Sequence, residues 1–76
     1  MKITKRHVGK VVKLEFLDHC MGHPDPVKCM VVGQVVKVTK TAITLRFWEV
    51  EKGFGEHNNE EMSIISSTIV GARVLK

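Results

Sequence analysis

Several things are scarce in this chain of 76 residues. Cysteine occurs only at Cys20 and Cys29, too few for a disulfide framework. In a reducing compartment both stay as thiols. No apolar run approaches the ~20 residues of a membrane-crossing helix. The first seven residues, Met1-Lys2-Ile3-Thr4-Lys5-Arg6-His7, are basic and lack the apolar stretch of a signal peptide. These absences lead to the expectation of a cytoplasmic protein without membrane contact. Helix signals are almost missing too. Thr4 ahead of Lys5, Arg6 and His7 is the one start signal, and it predicts a single turn.

Acid is absent from residues 1–13, which hold Lys2, Lys5, Arg6, Lys10 and Lys13. Residues 49–61 reverse this, with Glu49, Glu51, Glu56, Glu60 and Glu61 against Lys52 alone. The two stretches are expected to attract opposite partners, including another copy of the chain. The formal net charge is +4, which favours an acidic partner without demanding one. Hydrophobic residues are 43% of the chain, ordinary for a globular domain. A single domain over residues 1–76 buries a limited core, so packing, a metal or disulfide, or oligomerisation must supply stability.

What is present is β. Val12, Leu14 and Phe16 alternate with Lys13 and Glu15, a period-2 pattern with one buried face. Gly22, Pro24, Asp25 and Pro26 break the pattern within a loop over residues 18–27. A second strand is expected over residues 28–39. Met30, Val32, Val36 and Val38 are read onto one face, and Val31, Gly33, Val35, Lys37 and Thr39 onto the other. Gly33 inside it predicts a bulge or sharp bend. A third strand is expected over residues 42–50, with Ile43, Leu45 and Phe47 inward and Thr44, Arg46 and Trp48 outward. A polar, glycine-bearing loop follows at residues 52–59, then strands over residues 61–66 and 68–75.

Five strands on short connections predict an all-β, five-stranded, strongly bent antiparallel SH3-like small barrel, since an open sheet of this size leaves a face uncovered. The strands left at the edges invite pairing with another chain. That pairing is expected between residues 62–65 of one copy and residues 69–74 of a neighbour.

The layout resembles the Sm-like superfamily of RNA-associated proteins. Val8-Gly9-Lys10 ahead of Val12, Leu14 and Phe16 is similar to that family's first strand. Gly33-Gln34-Val35-Val36-Lys37-Val38 and Ala42-Ile43-Thr44-Leu45 are similar to its second and third, and Ile69-Val70-Gly71-Ala72-Arg73-Val74 to its last. The resemblance implies a ring-forming homo-oligomer that binds single-stranded RNA. The acid and the asparagine with which the family reads a base have no counterpart in Thr39-Lys40-Thr41-Ala42. The binding implied is therefore weakly sequence-selective.

The residues expected to meet RNA are Arg6 and Lys10, as phosphate contacts, and Arg46 with Trp48, as a stacking platform. An SH3-like protein-interaction module without nucleic-acid binding is the alternative reading. His19, Cys20, His23 and Cys29 carry a third, a small metal-binding protein, because imidazole and thiolate are the usual zinc ligands. Their spacing matches no established zinc pattern, and no cofactor is assigned. A Cys20–His23 nucleophilic pair lacks an orienting group and an oxyanion hole, so no enzyme activity is expected.

Overall fold

The computed structural model describes residues 1–18, 22, 24–49 and 59–76, with the backbone alone at Trp48, Glu49 and Asn59. Val50, most of the polar loop read at residues 52–59, and His19, Cys20 and His23 lie outside them. The described strands are β1 (Val11–Asp18), β2 (Val27–Val38), β3 (Ala42–Glu49), β4 (Asn59–Ile65) and β5 (Ile69–Val74). They form one antiparallel sheet in the order β4-β3-β2-β1-β5. The fold is all-β, as the alternation in the sequence requires.

The sheet must curl, and chain length shows why. β4 and β5 are its opposite edges, yet only a 3-10 turn, Ser66–Thr68, joins them. The edges of a flat five-stranded sheet stand about 19 Å apart. The Cα–Cα steps from Ile65 to Ile69 reach at most about 15 Å, and about 8 Å when wound as a 3-10 turn. The sheet therefore wraps into a small barrel shape that hydrogen bonds do not close between β4 and β5. The turn is fastened by Ser66 N–H donating to Thr41 O at 2.8 Å and Thr68 Oγ1 donating to Ile65 O at 2.7 Å.

β2 serves both sides of the curl. Residues 27–34 pair with β1, and residues 34–38 with β3. The bulge expected at Gly33 falls instead at Val36, where the register slips between Val35 and Lys37. One extra residue reverses the facing of all that follows. Val35 and Val38 consequently both turn toward the core, while Met30 and Val32 face outward at 63% and 49% exposure. Gly33 serves a different need. It pairs regularly with Val12, and a methyl placed there would stand 3.0 Å from Arg46 O and 3.1 Å from Leu45 Cβ. β3 presses close on β2 at this point.

A second bulge corrects the reading of β3. The ladder slips between Arg46 and Trp48, leaving Phe47 unpaired and 45% exposed rather than in the core. A third slip, between Glu15 and Phe16 of β1, leaves Val70 of β5 unpaired and exposed. Among the described residues the core consists of Ile3, Val12, Leu14, Phe16, Val35, Ile43, Leu45 and Ile64. Ile3 comes from outside the sheet. Its side chain, 5% exposed, plugs one end of the barrel between a cleft shared with Ile43 and Ile69 and another shared with Val38 and Thr39.

Candidate nucleic-acid interface

The basic N-terminal segment is tied to the sheet at the bend of β2. Thr4 N–H donates to His7 Nδ1 at 3.0 Å, closing the expected turn over Lys5–His7. Lys10 N–H donates to His7 O at 2.9 Å. Between them the chain reverses at Gly9, whose φ of 93° lies in the left-handed region that favours glycine. Val8 is exposed and outside β1, so the strand begins at Val11 rather than at Val8. The segment then locks onto β2. Gly9 N–H donates to Val35 O at 2.8 Å, Val35 N–H to Lys10 O at 2.9 Å, and Gln34 Nε2 to Gly9 O at 3.1 Å. Arg6 and Lys10 are both exposed on this fastened segment.

Gln34 also pairs across with Arg46. The Gly9–Lys10 step and Arg46 are therefore linked through Gln34 at the bend. Arg46, however, is committed within the sheet. Its Nη2 and Nε donate to Glu61 Oε2 at 3.0 and 3.3 Å. Both side chains are partly exposed, so the pair contributes at most about 1 kcal/mol. The Glu61 carboxylate thus faces the guanidinium that the sequence reading assigns to phosphate. The sequence alone could not show this, because the contact joins residues 15 apart in sequence and depends on β3 pairing with β4. The Trp48 side chain lies outside the described residues; its backbone pairs with Glu60 on β4.

Across the convex face, Lys28 Nζ binds Glu15 Oε2 at 2.9 Å. This hydrogen bond, and then the Lys28 charge, hold the Glu15 carboxyl below its ordinary value; partial burial opposes them and Lys13 adds to them. A carboxyl depressed in the folded state favours folding above its unfolded pKa. That help is lost as acid protonates the folded group.

Of the metal-candidate residues only Cys29 is described. It is half-buried, and its thiol donates to Val27 O at 3.6 Å. Among the described residues no group of three potential ligands comes together. No helix is long and apolar enough to cross a membrane among the described residues.

No family model, curated protein or solved structure matches this chain.

Proposed function

We propose that the chain is a ring-forming Sm-like subunit that binds single-stranded RNA with weak sequence selectivity. The observation that carries this reading is the pair of open sheet edges. Among the described residues β4 pairs only with β3, and β5 only with β1. Each edge carries exposed apolar side chains, Met62 and Ile65 on β4 and Val70 on β5. Unpaired backbone edges with apolar side chains are templates for another strand. The two edges differ, so copies join head to tail, and such contacts generate a ring when the rotation closes. The basic segment bearing Arg6 and Lys10, fastened at the β2 bend, offers phosphate contacts on every copy.

A second reading has its own support. Met30 and Val32 on the outward face of β2 form an apolar strip bordered by Lys13 and Glu15, which suits an SH3-like module that docks a protein.

Binding of a labelled single-stranded RNA, measured by anisotropy across a salt series, separates the two. Affinity should fall steeply as salt rises. Arg6→Ala with Lys10→Ala should flatten the log–log slope by about 1.4, from two lost contacts on a single strand. Trp48→Ala should weaken binding at unchanged slope. Tight, salt-insensitive binding contradicts the proposal, and no binding at low salt favours the protein-docking module.

A further inference from the structure

Lys13 and Arg73 stand directly opposite each other in the β1–β5 ladder. Both point away from the core, because their neighbours Val12, Leu14, Ala72 and Val74 pack inward. Like charges on one cross-strand rung repel and cost stability. Neither side chain forms an ion pair among the described residues. The carboxylate on the next outward rung, Glu15, is bonded to Lys28 at 2.9 Å. Three cations therefore face one carboxylate. The partner of Glu15 on that rung is Gly71, which has no side chain. A notch opens there, lined by Lys13, Glu15, Gly71, Ala72 and Arg73.

We propose that this notch is a binding site for a phosphate group. A guanidinium fork on one side and an ammonium on the other suit a tetrahedral oxyanion. A group carrying close to two negative charges compensates both cations at once, whereas a carboxylate compensates one. Folding alone gives no reason to oppose Lys13 with Arg73; a bound anion turns the repulsive rung into two charge-assisted contacts. The site uses neither the N-terminal segment nor Trp48, and it stands independently of the RNA reading.

The test is a titration of the isotope-labelled full chain, followed through its amide resonances at constant ionic strength. One arm uses inorganic phosphate, the other a single-stranded oligonucleotide without terminal phosphates. The amides of Lys13, Gly71, Ala72 and Arg73 should shift together and saturate. Saturation by inorganic phosphate identifies a site for free or terminal phosphate; saturation by the oligonucleotide alone, whose phosphodiesters carry a single charge each, would overturn the assignment. Arg73→Gln and, separately, Lys13→Gln should each weaken binding about tenfold or more. Arg73→Gln should keep or raise the thermal midpoint, since it removes the repulsive rung, and added phosphate should raise the midpoint of the natural chain only. Gly71→Ala should narrow the notch without strain, its methyl resting 3.6 Å from Glu15 Cβ. Arg6→Ala with Lys10→Ala should leave the inorganic-phosphate titration unchanged, so failure of the RNA reading would not register in that arm. The proposal is overturned if neither probe moves these amides, if chloride moves them equally, or if both glutamine variants titrate like the natural chain.

Discussion

Gly33→Val should leave the chain unfolded or lower its thermal midpoint by about 10 °C or more. The first atom added to Gly33 already meets Arg46 O at 3.0 Å, Leu45 Cβ at 3.1 Å and Arg46 C at 3.3 Å. Two of these are backbone atoms, and moving them disturbs the rungs Gln34–Arg46 and Val35–Leu45. Those rungs are where β2 passes from one side of the barrel to the other. Overpacking costs about 1–3 kcal/mol, and a branched side chain here falls at the upper end of that range. A domain of this size is stable by only about 4–11 kcal/mol at the usual 0.05–0.15 kcal/mol per residue. Gly71→Ala is the matched control, because a methyl there makes ordinary contact at 3.6 Å. Its stability should stay within about 0.5 kcal/mol of the natural chain. Thermal and urea denaturation followed by circular dichroism check both. A Gly33→Val midpoint equal to that of the natural chain would show that β2 and β3 do not approach so closely.

Leu14→Ala should cost about 2–5 kcal/mol, enough to unfold much of the population at 37 °C. Leu14 is fully buried on β1, which pairs with β2 on one side and β5 on the other. Its side chain is surrounded by sheet on both sides, so the hole left by truncation has little room to collapse. Val32→Ala on the opposite face is the comparison. Val32 is 49% exposed and lies across from Lys13, so its truncation should cost far less. Urea titration gives both values directly. Equal costs for the two variants would mean that the inward and outward faces of β1 and β2 are wrongly assigned.

These two variants also mark how far the sequence could be read. Val12, Leu14 and Phe16 alternate without interruption, so the inward face of β1 was legible from its period alone. The irregularity in β2 was legible only in outline: the register slip lies at Val36, and Gly33 answers instead to the close approach of β3. Val35 and Val36 are identical side chains, so nothing in the sequence marks which is the inserted residue. Phe47 was misread for the same reason, since the slip at Arg46–Trp48 sits among residues that are all large. Ile3 is a lone aliphatic residue among Lys2, Thr4 and Lys5, without periodicity; only the closing of the barrel end buries it. The basic segment could be read as a surface, since no acid interrupts it. The Arg46–Glu61 pair and the Lys13–Arg73 rung could not, because each joins strands far apart in sequence.

The edge assignment carries the functional reading, and native mass spectrometry at micromolar concentration tests it most directly. Head-to-tail pairing of β4 with β5 predicts one closed oligomer of more than two copies, lost when Val70→Lys places a charge on the β5 edge. A chain that remains monomeric, or that forms only an open concentration-dependent series, would contradict it.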